Sequence, residues 1–307
     1  MKIYTDLHSR TSLYNIPSWG IEKIESMGAN LIHDYDESAT IYFGDLLEKE
    51  DIENLPNLKW IHFPSVGVNR ALIPEVINSD IIVTNSKGIF NKSVSSMALS
   101  YIIYFSKGFH FIQKLRSEHR LDRENFEDYI SNLKEPFFSG LKCLIVGHGN
   151  IGKELGSICS LLGIQIDSVR SKDDIKESIK KSQADFVINL LPLTPQTDGV
   201  FDYETFECMK SDSYFLNLGR GQSVVEGDLI DALNHNIIAG AGLDVFRIEP
   251  LPKDSELWNF ENVLLTPHIA NLDKNYWKNE IALFIDNLKK FSNNSNMRNV
   301  INLERGY

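Results

Sequence analysis

The chain has 307 residues, 42% of them hydrophobic and 24% charged, enough to bury one large core or two ordinary ones beneath a polar surface. A formal charge of −11 opposes nucleic-acid phosphates and anionic membranes, so neither is expected as a partner, and any anionic substrate needs a locally positive pocket. No run approaches the ~18 apolar residues of a membrane span. The N-terminus has no signal-like apolar core, and Cys143, Cys159 and Cys208 form no C-x-x-C pair; a cytoplasmic protein with buried free thiols and no metal site is expected.

In the N-terminal third, short β-rich runs at 2–5, 30–34, 40–44, 58–62 and 80–84 alternate with helix-compatible stretches, the rhythm of a small parallel β-α-β sheet. Residues 94–110, with Met97, Tyr101, Tyr104 and Phe105 at helical spacing, predict one buried helix bridging into a second domain. A charged, loop-prone segment follows at 116–135. Six buried strands are then expected at 141–146, 164–169, 185–190, 213–218, 241–245 and 262–266, which make a doubly wound sheet. Ile281, Phe284, Ile285 and Leu288 give residues 278–291 one apolar face, so this helix is expected to return to the N-terminal sheet.

Gly147-His148-Gly149-Asn150-Ile151-Gly152 fits G-x-G-x-x-G, directly follows an apolar strand and opens a helix with Ile151, Leu155, Ile158 and Leu162 on one face. In that setting Gly147 serves a tight turn, Gly149 a close approach of backbone to a pyrophosphate, and Gly152 close helix-strand packing. Free N–H groups and the helix dipole would hold the anion. The next strand ends at Arg170-Ser171-Lys172, two cations and a hydroxyl where an acidic residue would bind a ribose 2′-hydroxyl. This pattern suits a 2′-phosphate, so NADP is the preferred cofactor, with NAD the alternative. Asp167 lies too early in the strand for the ribose role, and Asp173 and Asp174 come late enough to start the next helix.

Three further segments fall at the C-terminal ends of predicted strands, the edge where such sheets bind ligands: Asn217-Leu218-Gly219-Arg220-Gly221, Gly242-Leu243-Asp244-Val245-Phe246 with Glu249-Pro250, and Thr266-Pro267-His268-Ile269-Ala270. Arg220 can hold a substrate carboxylate and polarise a 2-oxo group. His268 can protonate the carbonyl oxygen as hydride reaches carbon, and Glu249 can orient the imidazole and favour its charged form. Singly, each of these residues could equally be a turn or surface residue; their joint placement after a nucleotide-binding turn favours the catalytic reading.

These segments, with Leu191-Pro192-Leu193-Thr194-Pro195-Gln196-Thr197, resemble the D-isomer-specific 2-hydroxyacid dehydrogenase family over nearly the whole chain, most strongly from Gly140 to Ala270. The resemblance implies two Rossmann-like α/β domains: a discontinuous, flavodoxin-like substrate domain at 1–92 and 271–307, and a dinucleotide-binding domain at 93–270. It assigns Arg220, Glu249 and His268 to catalysis and Asp244 to the nicotinamide amide. Cofactor contacts also fall on Asn150, Ile151, Leu191, Pro192, Thr197, Leu218, Gly219 and His268. The substrate carboxylate falls on the backbone amides of Val66 and Gly67, within Ser65-Val66-Gly67-Val68-Asn69. It further implies a homodimer using residues 94–136 as an arm. The ending Asn299-Val300-Ile301-Asn302 and Gly306-Tyr307 resembles the glyoxylate/hydroxypyruvate reductase branch, several members of which prefer NADPH. Two departures stand out: Ser96 where many relatives carry Glu, and Asn271-Leu272-Asp273 where a small-residue stretch is usual. The function expected is reduction of a small 2-oxo acid to a D-2-hydroxy acid. The alternatives are an NAD-linked dehydrogenase of a larger or phosphorylated hydroxy acid, and a non-enzymatic dinucleotide sensor.

Overall fold

The computed structural model describes residues 1–7, 15–131, 138–170 and 173–303. They form two compact units, Met1–Phe90 with the stretch from Asp273 onward, and Asn91–Leu272. In the first, β1 (Lys2–Tyr4), β2 (Asn30–Ile32), β3 (Ile41–Phe43), β4 (Trp60–Phe63) and β5 (Ile82–Asn85) make a wholly parallel sheet of order β2-β1-β3-β4-β5. Helices cover both faces, so β3 and β4 are buried on both sides and carry no polar alternation. The helix Tyr276–Ser292 closes one face: Ile281, Phe284, Ile285 and Leu288 are all buried, and the Phe284 ring stacks at 4.1 Å on Phe43 and 5.1 Å on Trp60. Burying a side chain of this size stabilises the fold by about 1.5–3 kcal/mol. The same helix sends Glu280 into the interior, where its carboxylate meets His62 Nε2 at 2.7 Å and accepts from the Ser86 hydroxyl at 2.5 Å. A buried carboxylate without such partners would be strongly destabilising.

The second unit holds β6 (Lys142–Val146), β7 (Gln165–Val169), β8 (Phe186–Asn189), β9 (Tyr214–Asn217), β10 (Gly240–Leu243) and β11 (Val263–Leu265), parallel in the order β11-β10-β9-β8-β6-β7. The direction of strand addition reverses between β6 and β8, which opens a crevice at their C-terminal ends. All eleven expected strands are present with ends displaced by no more than two residues. None of the described helices is long and apolar enough to cross a membrane.

The helices depart from expectation in two places. The single helix expected at 94–110 is two, Asn91–Ser106 and Phe109–Ser117, because Gly108 turns left-handed at φ 67° and a Cβ there would come within 2.6 Å of the Tyr129 ring. Within the segment read as loop lies the helix Arg123–Ser131, held by an Arg123–Glu127 ion pair and by Phe126 and Tyr129, the latter stacked on Phe111 at 4.3 Å. The helix Asn150–Leu161 buries Gly152, Leu155, Gly156 and Cys159; Ile151 and Ile158 are half-buried and Leu162 is exposed. Its two glycines let the helix lie close to the sheet, so the face with least side chain points inward. Cys143 and Cys159 are buried free thiols, whereas Cys208 is half-buried.

Candidate active site

At the end of β6, Gly147 adopts φ 104°, and a Cβ on it would lie 2.7 Å from the Leu190 carbonyl carbon. Gly152 is equally constrained, with Gly147 O 2.8 Å from its ideal Cβ position. Gly149 is different: it faces open space and caps the helix Asn150–Leu161 with no side-chain acceptor. The first-turn N–H groups are therefore left for an external anion. Two glycines pack the turn and the third clears its mouth, an arrangement that fits a dinucleotide pyrophosphate.

Arg170 is exposed directly after β7, and its backbone N–H donates to Asp173 at 2.8 Å. Asp174 caps the next helix by accepting from Glu177 N–H, and Asp167 is engaged by Lys142 and Ser182 at 2.9 and 2.8 Å. The nearby acids thus have local structural partners. Ser171 and Lys172 lie outside the described residues. Leu191 and Leu218 are buried, and the Thr197 hydroxyl closes its own loop by donating to Pro192 O at 2.6 Å.

The turn carrying Arg220 is built by close backbone contact. A Cβ at Gly219 would meet Leu191 O at 2.9 Å, and one at Gly221 would stand 1.8 Å from Phe246 O, so only glycine fits on either side of the arginine. The Arg220 carbonyl is held by Asn217 Nδ2 at 3.2 Å and Ser223 Oγ at 2.6 Å, and Asn189 Nδ2 bonds both Asn217 and Ser223. Arg220 itself is half-buried, and its Nη1 donates to Gly219 O at 2.7 Å. Burial lowers its pKa while the Glu249 charge opposes that shift.

Glu249 and His268 form a hydrogen-bonded pair. His268 Nδ1–H donates to Glu249 Oε2 at 2.8 Å, and Glu249 Oε1 accepts the Phe246 N–H at 3.0 Å. Burial tends to raise the Glu249 pKa, but the hydrogen bonds from His268 and Phe246 and the charges of His268 and Arg220 hold it below the ordinary carboxylate value. With Nδ1 committed, Nε2 is the imidazole atom left to exchange a proton with a ligand. His268 sits at φ 53°, and its backbone N–H lies 2.8 Å from Asp244 O and 3.0 Å from Thr266 O. Buried Asp244 anchors this segment: Oδ1 accepts from the Thr266 hydroxyl at 2.5 Å and Ile269 N–H at 2.9 Å, and Oδ2 accepts from Ala270 N–H at 2.9 Å. Because the Thr266 proton goes to Asp244, the Tyr101 hydroxyl must donate to Thr266. Sequence reasoning missed the supporting roles of Asn189, Ser223 and Tyr101. A polar residue ending an apolar strand, as in Phe186–Asn189, was the available signal for the first.

In the first unit, Ser65, Val66, Gly67 and Val68 follow β4. Val66 is exposed, Val68 is buried, and the Asn85 side chain donates to Val66 O at 2.6 Å.

The sequence profile of the D-isomer specific 2-hydroxyacid dehydrogenase NAD binding domain matches residues 99–270, more than half of the chain. A glyoxylate reductase of Thermofilum pendens is 32% identical over 241 residues, covering 74% of this chain and 70% of that protein. A hydroxypyruvate reductase of Blautia hydrogenotrophica is 29% identical over 269 residues, covering 83% and 82%. Among solved structures, a D-isomer specific 2-hydroxyacid dehydrogenase from Xanthobacter autotrophicus, in complex with NADPH and MES, superposes with a TM-score of 0.85 at 20% identity over 100% of this chain and 99% of that one. A family member from Lactobacillus delbrueckii in its NAD-complexed form gives 0.76 at 21% identity over 98% and 100%. The chain belongs to the D-isomer-specific 2-hydroxyacid dehydrogenase family and is a nicotinamide-dinucleotide-dependent oxidoreductase.

Proposed function

We propose that the enzyme reduces a short 2-oxo acid of the glyoxylate or hydroxypyruvate kind to a D-2-hydroxy acid, with NADPH preferred. The observation that carries the reading is the Glu249-held imidazole of His268, in the same unit as the buried-backbone turn that presents Arg220. Bound dinucleotide supplies the hydride for the carbonyl carbon. His268 Nε2 gives its proton to the carbonyl oxygen, and the pair recharges from solvent, to which the His268 side chain is 44% exposed. Glu249 remains ionised and stabilises the imidazolium. Arg220 polarises the 2-oxo group and holds the acid, and the N–H groups of Val66 and Gly67 receive its carboxylate. Asp244 Oδ2 has accepted one hydrogen bond and retains a lone pair for the nicotinamide amide.

The cofactor preference rests on Arg170, exposed at the end of β7, together with the local engagement of Asp167, Asp173 and Asp174. Solved relatives bound to NADPH or NADP are consistent with it. We further assign the helices Phe109–Ser117 and Arg123–Ser131, with exposed Leu121 between them, to a homodimer contact. A spectrophotometric screen of NADPH and NADH against two- to six-carbon 2-oxo acids tests the function. Turnover of two- or three-carbon acids with NADPH is expected; NADH preference without activity on them would overturn the proposal. Arg170→Ala should weaken NADPH about tenfold and NADH little, the size of one lost charge-assisted contact, and equal losses would remove Arg170 from cofactor selection.

A further inference from the structure

The turn after β4 is held in an unusual way. Four consecutive carbonyls are each captured: Pro64 O by the Tyr276 hydroxyl at 2.7 Å, Ser65 O by Ser86 N–H at 2.9 Å, Val66 O by the Asn85 amide at 2.6 Å, and Gly67 O by the Ser65 hydroxyl at 2.8 Å. Every trans peptide is planar with its N–H opposed to its C=O, so capturing a carbonyl also fixes the direction of the N–H that follows. The N–H groups of Val66, Gly67 and Val68 donate to no acceptor among the described residues, although Val68 is only 1% exposed. A buried N–H left without an acceptor, as at Val68, is rare, and successive free N–H groups in a turn are a common form of backbone anion site.

Asn85 is itself braced. Its Oδ1 accepts Lys87 N–H at 3.1 Å, and its backbone pairs with Asn299, whose side-chain amide donates to Asn85 O at 3.0 Å and Lys87 O at 2.8 Å. Asn299 belongs to the C-terminal segment that continues along β5 through the Thr84–Val300 bridge.

We propose that Asn85 is a positioning residue for the substrate carboxylate: its side-chain amide sets the Val66–Gly67 peptide so that the Gly67 N–H is free for the anion, and Asn299 sets Asn85. This rests on the reading of residues 65–68 as the carboxylate-binding turn. It predicts that a residue which need not touch substrate controls affinity for its carboxylate, and that the C-terminal segment takes part in substrate recognition.

The test is calorimetric titration of oxamate, a non-reducible carboxylate of substrate shape, into the NADPH-loaded enzyme. Asn85→Ala should weaken oxamate roughly 10–100-fold, the range for losing a well-placed hydrogen bond to a charged group, with NADPH affinity changed less than twofold. Asn299→Gly suits that residue's φ of 57° and tests the brace where the first variant does not fold; a smaller weakening in the same direction is expected. Unchanged oxamate affinity in a folded Asn85→Ala enzyme, or in Asn299→Gly if only that folds, would overturn the proposal. So would equal losses of oxamate and NADPH affinity, which would mark general disruption. Failure of the functional reading looks different: no 2-oxo acid is turned over, while oxamate still binds and still depends on Asn85.

Discussion

The turn after β4 and the turn after β9 sit at equivalent edges of two parallel sheets, yet they are built by opposite means. At 64–68, side chains reach in to capture carbonyls, and what is left without an acceptor among the described residues is backbone N–H. At 217–221, glycines let backbones touch, and what is presented is a guanidinium. The first turn is held by adding donors around it; the second is held by removing Cβ atoms from it. The lesson is that a sheet edge can offer either partial or full positive charge, and which one depends on whether side chains or neighbouring backbone immobilise the turn.

The largest test of that contrast is His268→Ala. Turnover should fall by about 10²–10⁴-fold, the size of a general-acid contribution, while oxamate binding is largely kept because the 64–68 turn lies in the other unit. Single-turnover kinetics beside calorimetry would check it, and undiminished turnover would remove His268 from proton transfer. Next comes Gly221→Ala, whose added methyl would stand 1.8 Å from Phe246 O. Relieving that overlap must move Arg220 or the segment that carries Glu249, and a displacement of about 1 Å costs roughly 10²-fold in rate. A variant with normal turnover and normal melting would show that close backbone approach is dispensable there.

The smallest effect concerns neither turn. His110 is packed among aromatic rings with Nε2 2.9 Å from the Tyr129 hydroxyl and Nδ1 without a partner among the described residues, and burial lowers its pKa from 6.5 to about 4. The unfolded chain takes up the proton below pH 6.5 and the folded one only near 4, so this residue's contribution is present at neutral pH and lost as pH falls through that window. His110 is only partly enclosed, so solvent screening cuts the loss to on the order of 1 kcal/mol. Urea unfolding at pH 7 and pH 4.5 should show a steeper acid penalty for the wild type than for His110→Phe, with catalysis at neutral pH alike in both. Equal penalties would place the acid-sensitive group elsewhere.

The strands were legible because fully buried parallel strands read as unbroken apolar runs, as in Lys142–Val146 and Phe186–Asn189. Arg220, Glu249 and His268 were legible as candidates because each follows such a run. What holds them was not. Bonds from Asp244 to the N–H groups of Ile269 and Ala270, or from Asn85 to Val66 O, link a side chain to distant backbone and leave no period in the sequence. On the helix Asn150–Leu161, Gly152 was legible as packing against the strand, but Gly156 counts as nothing on an apolar stripe and its place on the buried face was not legible. The break at Gly108 was hidden because aromatic residues flank it on both sides.

The helix Tyr276–Ser292 also sets an order of events during synthesis. It supplies Phe284 and Glu280 to the sheet made by the first ninety residues, so while the intervening chain is translated, Trp60 and His62 wait without their cover. At ribosomal speeds that interval is on the order of ten seconds or more. The unit Asn91–Leu272 is continuous and can complete itself meanwhile. Strands made before Asn91 are thus among the last to reach their final packing, and a chain that completes Asn91–Leu272 first would leave an open apolar sheet, the surface a chaperone would find.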